Sequence, residues 1–403
     1  MALIVQKFGG SSVKDAERVM NVARRIVDTY KQGNSVVVIV SAQGDTTDDL
    51  IEKAKEINPN ASKREMDMLL STGEQISISL LAMAIQSLGY NAVSLTGWQA
   101  GMTTDSNYSK ARIKKINTER LQKELEANNI VIVAGFQGIN KYDDITTLGR
   151  GGSDTSAVAI AAALHADLCE IYTDVDGVYT ADPRIVKSAK KLDSISFDEM
   201  LELASLGAGV LHNRSVELAK KYNVNLMVRS SLNNNPGTVV KEENKMERMI
   251  VKGVARDNDV ARISICNIED KPGMAFKVFS LLASKKINVD IILQSIGREG
   301  KKDISFTVNE DNLEKAVEIL EENKERLSFE ELKTSNEVSK ISIVGSGMVN
   351  NPGVACTMFE ALYDANINIH MISTSEIKVS VLINKKNADK AMNVIHEKFN
   401  LAE

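Results

Sequence analysis

A lysine followed by two glycines near the start of the chain is its most informative chemical pattern. The segment reads Lys7-Phe8-Gly9-Gly10-Ser11-Ser12. An apolar strand at Leu3–Val5 precedes it, and a helix predicted over Asp15–Tyr30 follows it. Glycines let backbone N–H groups approach an anion, and the helix N-terminus and the lysine add positive charge. The pattern predicts a phosphate site. It is not a Walker loop, because its lysine precedes the glycines, and a common turn is the alternative.

A second anion-binding pattern lies further along the chain. It consists of Arg150, Gly151, Gly152, Ser153 and Asp154, and it leads into a helix predicted over 154–165. A guanidinium group on a flexible glycine loop fits an anionic substrate. Capping of the helix by Ser153, Asp154 or Thr155 would explain the same residues without a ligand.

Polar residues also follow other predicted strands. Residues 172–184 include two tyrosines and an arginine among carboxylates, which suits a nucleotide; a tight loop with Asx turns is the alternative. Ser41 and Thr47 place hydroxyls after the second strand. Glu74 places a carboxylate at a predicted helix opening, where capping is the alternative. The four histidines have no metal-ligand spacing and are expected to be surface or packed residues, so no metal-ligating protein residue is predicted.

Composition and charge argue against several classes of protein. The 403 residues carry a net charge of −5, and 43% are hydrophobic and 26% charged, as in soluble globular proteins of two or three domains. This charge gives no reason to expect nucleic acid or a membrane as a partner. Three widely spaced cysteines indicate a reducing compartment, and no apolar run reaches the ~18 residues of a membrane span. We therefore expect a cytoplasmic protein.

Up to about residue 230, short β-branched runs alternate with amphipathic segments. The predicted strands are Leu3–Val5, Val36–Val40, Ala92–Leu95, Ile130–Ala134, Leu168–Tyr172 and Leu226–Val228. Helices are predicted between them, among them 65–88. Apolar strands separated by helices indicate a mostly parallel sheet covered on both faces, with its site beyond the carboxyl ends of the strands. Asn233–Gly237, followed by the charged residues 241–248, indicates a domain boundary.

Beyond this boundary the chain repeats itself. Residues 261–319 align with 339–395, and Pro272-Gly273 matches Pro352-Gly353. Each copy reads strand, turn, helix, strand, strand, helix, which is a ferredoxin-like βαββαβ unit if a short strand closes it. The duplication predicts two units packed side by side into a joint sheet.

Five motifs and the paired repeats together characterise the chain. The motifs are KFGGSSV, SAQGDTTD, STGEQIS, GRGGSDTSA and IYTDVDGVYTADPRI. Over essentially the whole chain these features resemble the aspartate kinases (aspartokinases). The resemblance implies an α/β protein: an amino acid kinase catalytic domain at 1–232, with a mostly parallel sheet between helices, a linker at 233–260, and ferredoxin-like βαββαβ ACT domains at 261–335 and 336–403.

The resemblance also implies the activity. A monofunctional aspartate kinase transfers the γ-phosphoryl group of ATP, bound with Mg²⁺, to the β-carboxylate of L-aspartate. The product, 4-phospho-L-aspartate, feeds lysine, threonine, methionine and diaminopimelate synthesis. Alternatives are another amino acid kinase similar to glutamate 5-kinase, against which the ACT pair and STGEQ argue, and a non-catalytic amino-acid sensor, against which the intact active-site residues argue.

Residue roles follow from the same resemblance. Lys7 would stabilise charge on the transferred phosphoryl group, Asp154 would organise the reacting groups, and Arg150 would clamp the α-carboxylate of aspartate. Other substrate-binding residues would be Ser41, Thr47, Glu74 (to the ammonium), Gly151, Gly152 and Ser153. ATP-binding residues would be Lys7, Gly9, Gly10, Ser11, Thr173, Asp174, Tyr179, Asp182 and Arg184. One departure is Gly209, where many members carry a second lysine. Candidates to replace that charge are Arg184, Lys220 and Lys221.

Feedback regulation is expected in the first repeat. Asp270 lies beside a predicted helix N-terminus, so it could hold the ammonium of an amino-acid effector, lysine and/or threonine, while the helix amides hold its carboxylate. Asn350, the matching residue of the second repeat, lacks this charge. The expected effector residues are Asp270, Gly273, Met274, Ala275, Gln294 and, from a neighbouring repeat, Asn368 and Ile369. The chain would form a homo-oligomer, or an α2β2 assembly if an internal start at Met246 produces a regulatory subunit.

Overall fold

The structure, a computed structural model, describes residues 2–206, 210–242 and 250–402, without the side chains of 349 and 350. Gly209, Met246 and the side chain of Asn350 therefore lie outside the described residues. The chain forms two compact units. The first comprises Met1–Tyr179 and Lys191–Met246, and the second comprises Thr180–Lys190 and Glu247–Glu403.

The first unit alternates strands and helices. Its strands are β1 (Leu3–Phe8), β2 (Ser35–Val40), β3 (Ala92–Leu95), β4 (Met102–Thr104), β5 (Ile113–Ile116), β6 (Ile130–Ala134), β7 (Gln137–Ile139), β8 (Ile145–Thr147), β9 (Leu168–Thr173), β10 (Ser194–Ile195), β11 (Leu226–Ser230) and β12 (Thr238–Val240). Its helices are α1 (Ala16–Lys31), α2 (Thr46–Ile57), α3 (Lys63–Ser87), α4 (Glu119–Glu126), α5 (Gly152–Leu164), α6 (Phe197–Ser205) and α7 (Asn213–Tyr222).

An eight-stranded sheet forms the centre of this unit, in the order β10-β12-β11-β9-β1-β2-β6-β3. Only the β11–β12 pair is antiparallel. The predicted mostly parallel sheet is therefore confirmed. Its central strands are β-branched runs buried on both faces, which suits a sheet between two layers of helices. A smaller sheet has the order β5-β4-β7-β8.

Helices α1 and α3 cover one face of the sheet, and their apolar side chains pack with Phe8 and Tyr172. Helix α5 packs against β1, β2 and β9 from the other face. Helix α1 begins where expected, because the Asp15 side chain accepts a hydrogen bond from the backbone N–H of Arg18 at 2.9 Å. Since side chains alternate along a strand, Lys7 points away from Phe8, toward α5.

Among the described residues, α3 is a helix long and apolar enough to span a membrane by length and composition. The sequence analysis found no such run. Leu81 and Ile85 of α3 are fully buried against the sheet, and the helix also buries two carboxylates, Asp67 and Glu74. These contacts are those of a core helix in the first unit.

The second unit contains the repeats. Its strands are β13 (Gly253–Asp257), β14 (Ala261–Glu269), β15 (Ile292–Gln294), β16 (Lys301–Val308), β17 (Glu331–Ser335), β18 (Val338–Val344), β19 (Ile369–Thr374) and β20 (Lys378–Asn384). Its helices are α8 (Met274–Ser284), α9 (Leu313–Glu322), α10 (Lys324–Leu327), α11 (Val354–Asp364) and α12 (Ala388–Lys398).

The two repeats close their sheets in different ways. The first sheet has the order β15-β16-β14-β17, so the short strand β17 closes it as expected. The second has the order β13-β18-β20-β19, so its fourth strand precedes the first repeat in the chain. The expectations of a closing strand at the end of the second repeat and of one joint sheet are therefore wrong. Val260 and Ile291 instead share a small apolar cluster with second-repeat residues.

The segment 233–260, expected to be a linker, contributes strands to both units. Strand β12 pairs with β10 and β11 in the large sheet, and β13 pairs with β18. Both strands are short and are flanked by polar residues, so periodicity alone gave no signal for them.

Candidate active site

The carboxyl ends of four neighbouring strands bring the predicted motifs together. Phe8 of β1 pairs in register with Val40 of β2 and Tyr172 of β9, and Val40 pairs with Ala134 of β6. The residues that follow lie along one edge of the sheet: Gly9, Ser41, Gly135 and Thr173. Ligands bind at this edge in open parallel sheets.

An ion pair joins the two anion-binding patterns of the sequence. The Nζ atom of Lys7 lies 2.7 Å from Oδ1 of Asp154, and the side chains are only 11% and 12% exposed. Lys7 occupies the end of β1, and Asp154 lies in the first turn of α5. Since charges attract more strongly away from water, this contact holds the ammonium group in place at the strand ends.

Glycines keep the backbone close around this pair. A Cβ atom on Gly10 would lie 2.5 Å from the carbonyl oxygen of Ala42, so no side chain fits there. Residues Gly10–Val13 form a 3₁₀ turn, in which the backbone N–H of Ser12 bonds to the carbonyl of Gly9 at 3.0 Å. The predicted phosphate loop is thus a tight turn packed on the segment that follows β2.

Glu74 lies inside α3, so its expected place at a helix opening is wrong, and so is the alternative that it caps a helix. The helix begins at Lys63 with Ser62 as its cap, three turns before Glu74. The Glu74 carboxylate is 3% exposed, and Oε1 accepts a hydrogen bond from the backbone N–H of Ala42 at 3.1 Å, while Oε2 is buried without a hydrogen-bond partner among the described residues. Burial raises the pKa of Glu74 to about 7, because desolvation disfavours the carboxylate.

Capping of α5 by a side chain, the alternative for the second pattern, is also wrong. The cap residue is Gly151, with φ of 67°, and no side chain caps the helix. Ser153, Asp154 and Thr155 are buried in the first turn instead. The Thr155 hydroxyl donates back to the carbonyl of Gly151 at 3.0 Å.

Arg150 lies on a cleft with a volume of about 1280 Å³. Thr47, His212 and Arg214 also line this cleft, whereas Lys7, Asp154 and Glu74 lie outside its lining. Arg150 is exposed, as a residue that must reach a ligand would be. Gly152 is buried. A Cβ atom there would lie 2.8 Å from the ring of Phe136, so the packing leaves no room for a side chain.

The structure reveals two residues of the cleft that the sequence analysis did not select. A Cβ atom on Gly151 would lie 2.2 Å from Cγ of His212, so this imidazole packs directly on the glycine loop. The ring caps α7, since Nδ1 accepts from the backbone N–H of Arg214 at 3.4 Å, and burial lowers the pKa of His212. Arg214 donates to the carbonyl groups of Leu148 and Ala111. A histidine followed by Asn-Arg-Ser at a helix start was the available signal.

The predicted nucleotide residues fall into both units. Thr173 and Asp174 follow β9, and the Thr173 hydroxyl donates to Oδ1 of Asp174 at 3.0 Å. The Tyr179 hydroxyl donates to Oδ1 of Asp176 at 2.6 Å, a bond that raises the pKa of Tyr179 to about 12. Asp182 and Arg184 belong to the second unit, where they form an ion pair at 2.8 Å with each other.

The three candidates for the second cation differ in their surroundings. Arg184 lies in the second unit, and Lys220 forms an ion pair at 2.5 Å with Asp198. Lys221 lines the cleft that also contains Arg150. Of the three, Lys221 is the one that lines the same cleft as Arg150.

The expected effector residues lie in both repeats of the second unit. Gly273, with φ of 89°, is the cap of α8, and Met274 is buried in its first turn. Asp270 forms an ion pair with Lys302, with its Oδ1 2.8 Å from Nζ. The remaining expected residues are Ala275 on α8, Gln294 on the edge strand β15, and Asn368 and Ile369 at the start of β19 in the second sheet.

Comparison with known proteins agrees with this architecture. The model of the amino acid kinase family matches residues 2–230, and the ACT domain model matches residues 263–323 and 341–399. The chain is 53% identical over 403 residues to an aspartokinase of Bacillus sp. strain MGA3, covering 100% of this chain and 98% of that protein.

Solved structures of two further proteins are similar. The aspartate kinase of Synechocystis is 45% identical, with a TM-score of 0.57, and the match covers 99% of this chain and 69% of that one. Escherichia coli aspartokinase III, solved with lysine and aspartate in its T-state, is 25% identical with a TM-score of 0.78, and the match covers 100% of both chains. With a full-length relative at this level of identity, the chain belongs to the aspartokinase family.

Proposed function

We propose that the residues around Lys7 and Glu74 carry out the aspartokinase reaction, the transfer of the γ-phosphoryl group of ATP to the β-carboxylate of L-aspartate. The observation that carries this proposal is the ion pair of Lys7 and Asp154 at the carboxyl ends of the strands. Phosphoryl transfer depends on positioning and on neutralising charge rather than on covalent chemistry by the protein. A largely shielded ammonium group held at the strand ends supplies that charge.

The phosphates of ATP would lie over Gly9, Gly10 and Ser11. Packing of Gly10 on Ala42 leaves backbone rather than side chain at this surface, which suits close approach of an anion. Lys7 then contacts the transferred group, while Asp154 keeps its ammonium oriented. The β-carboxylate of aspartate is already ionised at neutral pH, so its attack needs no general base.

Aspartate would be held at its two other charged groups. The Oε2 atom of Glu74 is a buried acceptor without a partner among the described residues, and a substrate ammonium would satisfy it. Arg150 is exposed on the cleft and would bind the α-carboxylate. Ser41, Thr47, Gly151, Gly152 and Ser153 would complete the substrate site. This arrangement leaves the β-carboxylate directed toward ATP.

ATP would bind with Mg²⁺. In kinases Mg²⁺ is held largely by the substrate phosphates and keeps several waters, with one or two carboxylates from the protein. No group of three or more His, Cys, Asp or Glu side chains in the described parts of the chain is placed to hold a metal, so the ion would arrive with the nucleotide. Thr173, Asp174 and Tyr179 of the first unit would contact the nucleotide.

An amino-acid effector would bind at the first repeat. Asp270 precedes Gly273, the cap of α8, by three residues, and its carboxylate pairs with the ammonium group of Lys302. An effector ammonium would share or replace that contact, and the amides of Gly273, Met274 and Ala275 would bind its carboxylate. Lysine is proposed because the related Escherichia coli enzyme was solved with it, and threonine remains the second candidate.

The protein is proposed to act in the cytoplasm as an oligomer. All three cysteines are free, as suits a reducing compartment. An α2β2 assembly would contain a shorter subunit started at Met246, and a homo-oligomer would not. Mass spectrometry of the protein expressed from its native gene would detect that shorter chain or exclude it.

A trapping assay tests the proposed reaction. The protein is incubated with ATP, Mg²⁺ and hydroxylamine, which converts an acyl phosphate to a hydroxamate. L-aspartate should yield hydroxamate, and L-glutamate or the absence of an acceptor should not. Equal product from glutamate would favour a kinase similar to glutamate 5-kinase, and no product from either acceptor would favour a sensor.

A further inference from the structure

A second carboxylate on α3 is completely buried and is not used by the proposed reaction. Asp67 is 0% exposed and lies seven residues before Glu74, two turns away on the same side of the helix. Its two oxygens accept four hydrogen bonds from only two residues. Oδ2 accepts from the backbone N–H groups of Ser109 and Thr147, at 2.8 and 2.9 Å. Oδ1 accepts from the hydroxyls of the same residues, at 3.1 and 2.7 Å.

A carboxylate satisfies this arrangement at both of its oxygens. Four donors converge on one side chain, and an ionised carboxylate accepts at both oxygens and donates at neither. An asparagine could accept from the two backbone N–H groups and donate to the two hydroxyl oxygens, because hydroxyls also accept. An alanine would leave all four donors without this acceptor.

The residues that Asp67 binds form the base of the loop that carries Arg150. Thr147 is the last residue of β8, three residues before Arg150. Ser109 has a positive φ of 66°, a conformation that a non-glycine residue adopts only when its surroundings hold it. Its carbonyl lies against Gly149, where a Cβ atom would be 3.0 Å away.

The same segments are held from their other end. The backbone N–H of Ala111 bonds to the carbonyl of Thr147 at 2.9 Å. The guanidinium group of Arg214, at the start of α7, donates to the carbonyls of Leu148 at 2.9 Å and Ala111 at 2.8 Å. The segments next to the Arg150 loop are therefore hydrogen-bonded on both sides, although Arg150 itself is exposed.

We infer that Asp67 is a positioning residue for aspartate binding, which fixes the base of the Arg150 loop relative to Glu74 on the same helix. The inference rests on the proposed roles of Arg150 and Glu74. One rigid helix then sets the distance between the group that binds the substrate ammonium and the loop that binds its α-carboxylate. Two anchoring groups a fixed distance apart distinguish aspartate from acceptors of another length or charge pattern.

Asp67→Ala tests this inference, because it removes all four hydrogen bonds. The variant should raise the KM for aspartate by about tenfold or more and leave the KM for ATP within about twofold, because small displacements of binding groups weaken binding of their own ligand. Glu170→Gln is the matched control. Glu170 is also buried and accepts hydrogen bonds from Gln6, Tyr172 and Arg229 in the same unit, and none of these three residues belongs to the Arg150 loop. This control should lower the melting temperature and leave the KM for aspartate unchanged.

A double-mutant cycle separates positioning from general destabilisation. If Asp67 acts through Arg150, then Asp67→Ala should add little to the KM of an Arg150→Ala variant, because coupled residues are not additive. Additive effects on KM, or equal rises for aspartate and ATP, would overturn the inference while leaving the role of Arg150 intact. An Arg150→Ala variant with unchanged aspartate KM would instead overturn the proposed role of Arg150, and the inference with it.

A milder variant covers the case in which Asp67→Ala does not fold. Thr147→Val removes only the 2.7 Å hydroxyl bond to Asp67 and keeps the shape of the side chain. It should raise the aspartate KM by a few fold and show the same lack of additivity with Arg150→Ala. An unchanged KM in a folded Thr147→Val protein would count against the inference.

Discussion

Replacing Glu74 by glutamine should stabilise the protein and weaken aspartate binding at the same time. Burial raises the pKa of Glu74 from 4.5 to about 7. The difference, roughly 2.5 pKa units at 1.36 kcal/mol each, makes ionisation of this group cost the folded state about 3 kcal/mol. Glutamine resembles the protonated side chain: its carbonyl can keep the bond from Ala42, and it carries no charge.

The sign of the stability effect follows from proton binding. Between pH 4.5 and 7 the folded state binds the Glu74 proton and the unfolded state releases it, so the free energy of unfolding of the wild type falls as the pH rises through this window. The glutamine side chain does not ionise, so the free energy of unfolding of the variant does not fall for this reason. It should melt roughly 6 °C or more above the wild type at pH 8, and the gain should shrink to under about 1 kcal/mol at pH 5.

The effect on binding has the opposite direction. A substrate ammonium requires the ionised carboxylate, so the aspartate KM of the wild type should rise about tenfold between pH 8 and pH 6. In Glu74→Gln the aspartate KM should be high and nearly independent of pH over this range, with the ATP KM unchanged. Coupled measurement of ADP release at pH 6, 7 and 8 supplies both constants.

Two results would refute the reasoning separately. An unchanged aspartate KM in Glu74→Gln would mean that this carboxylate does not bind the ammonium group. Absence of stabilisation at pH 8 would mean that the carboxylate is not desolvated as its burial indicates. Glu170→Gln is a suitable comparison, because three hydrogen bonds already satisfy that buried carboxylate and its loss should only destabilise.

Three further outcomes are expected. Lys7→Ala should lower kcat by roughly two orders of magnitude, as does the loss of a donor to transition-state charge, and should change either KM far less; near wild-type turnover would exclude Lys7 from the chemistry. Gly151→Ala should raise the aspartate KM strongly, because its Cβ atom would overlap His212, whereas Gly89→Ala, which also has positive φ but no neighbour within 4 Å, should reduce only stability. Asp270→Ala should abolish inhibition by lysine or threonine, measured singly and together, without lowering uninhibited activity; full sensitivity in this variant would exclude the proposed effector site.

Local patterns predicted most of the secondary structure. The β-branched runs at 36–40 and 130–134 became the buried strands β2 and β6, since a continuous apolar run has no amphipathic alternative in a two-sided sheet. The glycines after β1 and at the start of α5 were identified as parts of anion-binding patterns from residue type alone. A backbone that must approach a neighbour closely leaves a signature in residue type, and Gly10 and Gly152 show that approach in the structure.

Pairings between distant residues could not be predicted in this way. Both Glu74 and Asp154 have local patterns that suit helix capping, although the helix predicted over 65–88 already contains Glu74. Only packing placed the Glu74 carboxylate on the backbone of Ala42 and Asp154 beside Lys7. The four donors around Asp67 likewise come from segments far apart in the chain.

The sequence by itself therefore determined six of the eight strands that the structure describes in the large sheet, the ends of the strands that carry the motifs and the duplication of the second unit. The tertiary structure decided which charges face each other, and it decided that β13 closes the second sheet across the intervening repeat. The physical reason is that element type depends on neighbours in the chain, whereas contacts depend on which surfaces meet when those elements pack.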